Sequence, residues 1–406
     1  MMKMTNGWWK ALFSLLDTLS NARIDYTLLN TTALLIQGAN ISDTHTIDIE
    51  VQWDLFPRCH ELLAPDSKIE TEHDDGECFH FIHEQIPVTL FCFHNTVVST
   101  DPYRLATKQT DSNQILWAKS LDYYTKKLPI SHPWVEAIHA YWHSIQQQNN
   151  RINAVAWNQE AYNAWLHRLG TPQEMAARLR QDPHKRLGAL ATYLGTLEGK
   201  KVINLLGSHG SKAIAMALLG AHVTVVDISR ENAQYAQDVA QAANIELRYL
   251  ISDVLSLAEN EINSSYDLVV MELGILHYFV DLAPLAELVF RLLRPHGRLI
   301  LQDFHPISTK LITSTGKKHK VNGNYFDKTL HDTPVAFSKH LPTEQQTSTK
   351  KVYQRRWTLG EIVTAFASSG LFIRQLEEEP NAKIDDIGLP KLFTLVAERL
   401  PYQFTT

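Results

Sequence analysis

Lys201-Val202-Ile203-Asn204-Leu205-Leu206-Gly207-Ser208-His209-Gly210-Ser211-Lys212 is the stretch whose reading decides the fold of the larger part of this chain. An apolar run of strand length, Lys201–Leu206, stops at a glycine, and Ser211–Leu219 continues with helical character. A turn this tight needs residues that tolerate unusual backbone angles and let a ligand come close. The helix that follows offers unpaired N–H groups and the positive end of its dipole. In open α/β sheets such a turn is where nucleotide-like ligands sit, although the Gly207/Gly210 pair alone also suits a plain turn.

Downstream the alternation is regular. His222–Asp227 predicts a strand, Glu231–Ala243 a helix, Ile245–Leu250 and Asp267–Met271 strands, Leu282–Leu293 a helix and Arg298–Leu301 a strand. Strands separated by helices imply right-handed crossovers and a parallel sheet covered on both faces. Helix Thr358–Ser369 and strands Leu371–Glu377 and Lys391–Glu398 close the chain. No helix separates those two strands, so the last can enter antiparallel. Polar groups recur where strands end. Asp227, seventeen residues after Gly210, is placed to accept hydrogen bonds from a ribose diol, or else it caps the next helix. Asp253, in Ser252-Asp253-Val254, can meet an adenine amino group. Glu272 opens the turn Met271-Glu272-Leu273-Gly274-Ile275-Leu276-His277-Tyr278.

Residues 199–303 resemble the class I methyltransferases that use S-adenosylmethionine. The likeness rests on Val202–Lys212, Asp227, Ser252-Asp253-Val254, Tyr266-Asp267-Leu268-Val269-Val270 and the turn Leu292-Leu293-Arg294-Pro295-His296-Gly297. It implies an α/β, Rossmann-like seven-stranded sheet with an antiparallel last hairpin. It also implies a cofactor site built from Asn204, Gly207, Ser208, Gly210, Asp227, Ile228, Ser252, Asp253, Val254 and Glu272. The family's first motif is an acid followed by alternating glycines. Here Asn204 replaces the acid, and Leu206 and Ser208 replace two glycines. Asn accepts a hydrogen bond but carries no charge for the ligand's ammonium, so weaker binding is expected unless Glu272 supplies the missing carboxylate.

His277 and His305 lie just past the fourth and fifth strands, where the family places acceptor-facing groups. Both suit proton transfer, with ordinary pKa values of about 6.5, and both equally suit structural roles. The long polar segment from Pro306 to Trp357, with Tyr325, Phe326 and His331, is expected to act as a lid. Trp157, Tyr162, Trp165 and Leu166 form a stripe expected to cover the cofactor. Together these favour a small-molecule acceptor.

Residues 26–93 resemble the small nucleotidyltransferase fold, an α+β arrangement, through the turn Leu29–Leu34 and the acidic strand Thr46-Ile47-Asp48-Ile49-Glu50. That family uses three carboxylates to hold two magnesium ions. Here Thr89 stands where the third acid is expected, unless Asp74 or Asp75 supplies it. The expectation is a degenerate domain that aids substrate binding or builds a homo-oligomer. Cys78, His80, Cys92 and His94 read as sharing one face of the hairpin 77–94, a set that suits zinc but matches no finger spacing. No metal is assigned. The expected domains are 1–120, a helical linker at 121–156 with a polar break at Gln146–Asn153, and 157–406.

Composition narrows the classes. The formal charge is −6, and 44% of residues are hydrophobic against 20% charged. With no long basic run, a nucleic-acid surface is not expected. No apolar stretch is long enough to span a bilayer, no secretory signal is read in Met1–Lys10, and three cysteines build no disulfide framework. The expectation is therefore a cytoplasmic protein without a membrane partner. Three alternatives to methyl transfer stay open: nucleotidyl transfer by the N-terminal domain, a non-catalytic cofactor-binding module, and a nicotinamide enzyme. The last is disfavoured because Gly207 and Gly210 lack the third glycine a pyrophosphate wants.

Overall fold

A computed structural model describes residues 6–39, 41, 46–72, 76–94, 96–108, 115–315, 318–346, 350–382 and 388–401. The chain divides into two compact units, Met1–Ser144 and Ile145–Thr406. This division falls inside the expected linker 121–156, but Gln146–Asn153 is no break. It lies inside one continuous helix, Pro133–Trp157. Its polarity has a different cause. Gln146, Asn149 and Asn153 are buried. The Gln146 side chain donates to Tyr278 O and accepts from Val280 N, and Asn153 Oδ1 accepts from Tyr353 N. These amides satisfy buried backbone groups, which would otherwise be costly to leave unpaired.

The first unit holds one mixed sheet. Its strands are β1 Tyr26–Leu28, β2 Ile47–Val51, β3 Ile69–Glu72, β4 Gly76–His83, β5 Ile86–Phe93, β6 Arg104–Lys108 and β7 Ile115–Lys119, in the order β3-β4-β5-β2-β1-β7-β6. The helix Asn6–Asn21 and the helix Phe56–Leu63 contribute Leu12, Leu15, Phe56 and Cys59 to a core under one face of that sheet. Strands β3, β6 and β7 had no clear alternation to announce them.

The second unit carries β8 Lys201–Leu205, β9 His222–Asp227, β10 Arg248–Ile251, β11 Tyr266–Glu272, β12 Leu293–Phe304, the small hairpins β13 Ile312–Thr315 with β14 Lys318–Val321 and β15 Leu330–Pro334 with β16 Lys351–Arg355, and finally β17 Leu371–Pro380 and β18 Pro390–Arg399. Its main sheet runs β10-β9-β8-β11-β12-β18-β17. Strands β8 to β12 pair in parallel, and β18 enters antiparallel between β12 and β17. The near-continuous apolar strands are explained by burial on both faces. Val202, Val225, Val270 and Ile300 point into one core, while Ile203, Val226, Val269 and Leu299 point into the other. Parallel strands aligned this way bring all their C-terminal ends, and the turns after them, to one edge.

Candidate active site

At that edge lies a cavity of 430 Å³, lined by Gly207–His209, Val226–Ile228, Ser252–Val254, Glu272–Ile275 and His277–Phe279, among others. The loop after β8 is unusual in its backbone. Leu206 (φ 50°) and Ser208 (φ 48°) adopt the left-handed conformation that glycine takes freely and other residues rarely do. The surrounding bonds hold them there. Gly207 N donates to Val226 O, Ser208 N donates to the Asp227 carboxylate at 3.0 Å, and Ser208 O accepts from the Tyr249 hydroxyl at 2.7 Å. The turn thus keeps the shape of a glycine loop although two glycines are replaced. Gly207 itself admits no side chain, since a Cβ would stand 2.7 Å from both Asn204 Oδ1 and Val225 Cγ1.

Asn204 does not reach the cavity. It is fully buried beneath the loop, its Nδ2 donating to Val270 O, and its Oδ1 has no partner among the described residues. Gly210 likewise lies behind the wall, in a left-handed turn (φ 68°) packed on Ala236. Both are therefore supports of the loop. Asp227 lines the cavity and also ties the site together, accepting from Ser208 N, Ser229 N and the Asn232 side chain. Burial pushes its carboxyl up, and those donors oppose the shift. Asp253 accepts from Leu255 N and from Asn150 Nδ2, the latter at 2.6 Å. Glu272 is ion-paired with Lys212, so it does not stand as a free replacement for the missing acid.

The covering stripe is half realised. Trp157 and Trp165 line the cavity, and Trp165 Nε1 donates to Asn232 Oδ1 at 2.7 Å. Tyr162 turns away to Asp238. His209 packs edge-on against Trp165, with ring centroids 4.6 Å apart, and burial drives its pKa down to about 3. Tyr325, Phe326 and His331 do not line this cavity, whereas Ala336 and Lys339 from the same segment do. The segment is not a bare loop, because it folds into the two small hairpins. Arg186, Lys212 and Asn150 carried no signal in the sequence. They lie far along the chain from their partners Ser211, Glu272 and Asp253.

The two histidines part company. His277 lines the cavity, and its Nε2 is shielded from solvent without a partner among the described residues. Burial, with the Arg356 guanidinium nearby, lowers its pKa to about 4, so the ring is neutral at pH 7. His305 belongs elsewhere. It is buried, its Nδ1 accepts from Ile307 N, and its Nε2 lies 2.5 Å from Glu378 Oε1. It lies beside β17 and does not line this cavity. The residue beside it in sequence that matters more is Asp303. Its buried carboxylate accepts from Gly274 N (2.6 Å), Phe304 N (2.7 Å), Leu276 N (3.2 Å) and Ile275 N (3.3 Å). Four donors on one carboxylate fix the turn that carries His277.

In the first unit, Asp48 and Glu50 share a face of β2, and Thr89 pairs beside Asp48 on β5. Burial raises the Asp48 carboxyl to about 6, opposed by the Asn30 side chain and His80. Glu50 faces Lys119, whose Nζ lies 3.5 Å from it and 2.5 Å from Asp101. Asp74 and Asp75 lie outside the described residues. The cysteine–histidine set is not on one face. Cys78 pairs with Phe91, and Cys92 with Glu77, so alternation puts the two cysteines on opposite faces. Cys92 packs in the core beside Phe79 and Leu90, while His80 Nδ1 meets the Thr89 hydroxyl at 3.0 Å on the other side.

The second unit is thus an open, mostly parallel α/β sheet with an antiparallel strand near its edge and acids at successive strand ends along one cavity. Residues 197–357, all within the second unit, match the family described as a methyltransferase domain. A protein described as ubiquinone biosynthesis O-methyltransferase, from Alkalilimnicola ehrlichii, is 30% identical over 144 residues, 36% of this chain. The chain spans 58% of that relative's length. Among solved structures, an S-adenosylmethionine-dependent methyltransferase from Mesorhizobium loti is 21% identical, with a TM-score of 0.42, covering 52% of this chain and 96% of its own. The magnesium protoporphyrin IX methyltransferase from Synechocystis is 18% identical, with a TM-score of 0.38, covering 62% and 99%. No helix among the described residues is long and apolar enough to cross a membrane.

Proposed function

We propose that the protein transfers a methyl group from S-adenosylmethionine to a small-molecule acceptor. The observation that carries this is the 430 Å³ cavity at the C-terminal edge of β8 to β11, where the glycine-type loop, Asp227, Asp253 and His277 meet. The cradle fits a nucleoside cofactor, because the Gly207–His209 backbone and the Asp227 carboxylate both stand at the cavity wall. Trp157, Tyr278 and Phe304 add aromatic surface, which attracts a cation positioned over a ring face. When bound, S-adenosylmethionine supplies an electrophilic methyl group on a sulfonium.

The chain's part is alignment, exclusion of water and proton handling. Asp227, Asp253 and the loop orient the nucleoside. Trp157 and Trp165 shield it, and His277 Nε2, neutral and unpartnered, accepts the acceptor's proton. Asp227→Ala tests the cofactor assignment. It should lose a charge-assisted pair worth about 1.5–3 kcal/mol, roughly 10- to 150-fold in S-adenosylmethionine affinity by calorimetry. Unchanged affinity in the folded variant would sink the assignment.

For the first unit, we infer a degenerate nucleotidyltransferase-like domain that aids substrate binding or assembly. Two observations support it: Thr89 beside Asp48, and the Lys119 ammonium against Glu50. A fixed positive charge there repels a divalent metal and occupies a carboxylate that would hold it. No transfer from ATP, GTP, CTP or UTP to any acceptor is expected. A nucleotide-labelled product that disappears in Asp48→Asn would refute this and bring forward the nucleotidyltransferase reading of the whole chain.

A further inference from the structure

A second cavity, of 270 Å³, adjoins the first and shares His277 and Phe304 with it. Trp357, Ile362 and Phe393 give it apolar walls, while Thr309 and Arg356 are polar. Trp357 is fixed, its Nε1 donating to Leu276 O at 2.9 Å while the Arg355 guanidinium lies 3.7 Å from its ring centre. Thr309 sits in a π-helical turn, Ile307–Leu311, a rare geometry met most often at functional sites.

The charges around this cavity are unbalanced. Arg355 pairs with Glu361 at 3.2 Å, and Lys310 Nζ donates to the carbonyls of Asp327 and Arg356. Asp303, the acid in the wall, is turned to the amides of residues 274–276 and 304. Arg356 differs from the other cations. It is exposed, it donates to Thr309 O at 2.5 Å, and no carboxylate among the described residues pairs with it. The lining of this apolar slot thus includes an uncompensated guanidinium and the unpartnered His277 nitrogen. Arginine's planar fork matches a carboxylate.

We propose that this second cavity is the acceptor subsite and that it takes a small aromatic hydroxy acid: the ring between Trp357, Ile362 and Phe393, the carboxylate on Arg356, the hydroxyl toward His277. The assignment rests on the methyl-transfer reading above. In the step, the acceptor oxygen bonds the methyl carbon as the sulfur–methyl bond breaks, its electron pair going to sulfur. The hydroxyl proton passes to His277 Nε2 and then to water. Nothing further is consumed.

The test uses the full chain saturated with S-adenosylhomocysteine, with dissociation constants for 4-hydroxybenzoate, phenol and tyramine measured by ligand-observed NMR. 4-Hydroxybenzoate should bind roughly 10-fold or more tighter than phenol, as a charge-assisted pair demands, with the cationic tyramine weakest. Arg356→Gln should abolish the preference and leave phenol unchanged, while Arg374→Gln, at an arginine paired with Glu398, should leave the preference intact. Ile362→Phe, which fills the slot, should remove 4-hydroxybenzoate binding. The proposal is overturned if the wild type shows no preference, if the preference survives in Arg356→Gln, or if the filled slot still binds. Calorimetry with S-adenosylhomocysteine in the same samples separates the two failures. Absent cofactor binding defeats the methyl-transfer reading, whereas intact cofactor binding without the preference defeats the acceptor assignment alone.

Discussion

His277→Gln should cut turnover by roughly 10²–10⁴-fold while S-adenosylmethionine affinity stays within a factor of about two, the pattern of a lost proton acceptor. Glutamine keeps a hydrogen-bonding group at the position but cannot take up a proton near neutral pH. The pH profile discriminates further. With the imidazole pKa lowered to about 4 by burial, its base form persists through the neutral range, and turnover should fall only as pH drops through about 4. An unshifted histidine would begin to lose it near 6.5.

The same shift has a consequence for stability. The folded protein binds the His277 proton more weakly than the unfolded chain does, so this group's contribution is complete above pH 6.5 and is lost as pH falls from 6.5 to about 4. Urea unfolding should therefore show the wild type losing stability relative to His277→Gln across that window. A turnover equal to wild type in the variant would mean that alignment alone carries the reaction and that His277 is structural.

Asp303→Ala should be the most damaging single change at the site. It leaves four N–H groups, those of Gly274, Ile275, Leu276 and Phe304, without their acceptor. With buried donors each costing about 1–3 kcal/mol when unsatisfied, a loss of at least about 3 kcal/mol is expected. The turn after β11 also holds two left-handed residues, Leu273 (φ 46°) and Gly274 (φ 78°). Once released it should relax and carry His277 away from the cavity, so turnover should fall even where the protein stays folded. Asp303→Asn, which keeps one acceptor oxygen, should lie between. The measurements are urea unfolding and single-turnover rates at saturating cofactor. A loss under about 1 kcal/mol in Asp303→Ala would show that these bonds do not hold the turn.

Periodicity and turn chemistry placed the main sheet of the second unit closely. His222–Asp227 was read to the residue, Lys201–Leu205 within one, and the final hairpin without a helix between its strands does enter antiparallel. These features are local. A strand buried on both faces must be apolar throughout, and a strand-to-helix turn needs its glycine, so the chain itself carries the signal. The same holds for Asp227 and Asp253, which end or follow their strands and therefore face the cavity edge.

Pairings across long stretches of chain leave no such mark, and tertiary structure alone decided them. Asn204 looked like a substituted ligand contact, but packing put it under the loop, against Val270 O. Glu272 looked free, but folding brought Lys212 onto it. Gln146–Asn153 looked like a linker because polar side chains usually mean solvent. They are polar because backbone groups from residues 278, 280 and 353 needed partners inside the unit. His277 and His305 were indistinguishable as residue types. Folding put His277 in the walls of both cavities, while His305 lines neither and lies within ion-pairing distance of Glu378. The register of β4 on β5 separated Cys78 from Cys92, because a one-residue change in pairing flips every side chain to the other face. The sequence thus determined the strands of the second unit's main sheet and the acids that end them, whereas desolvation and long-range pairing decided which of those groups stay free to act.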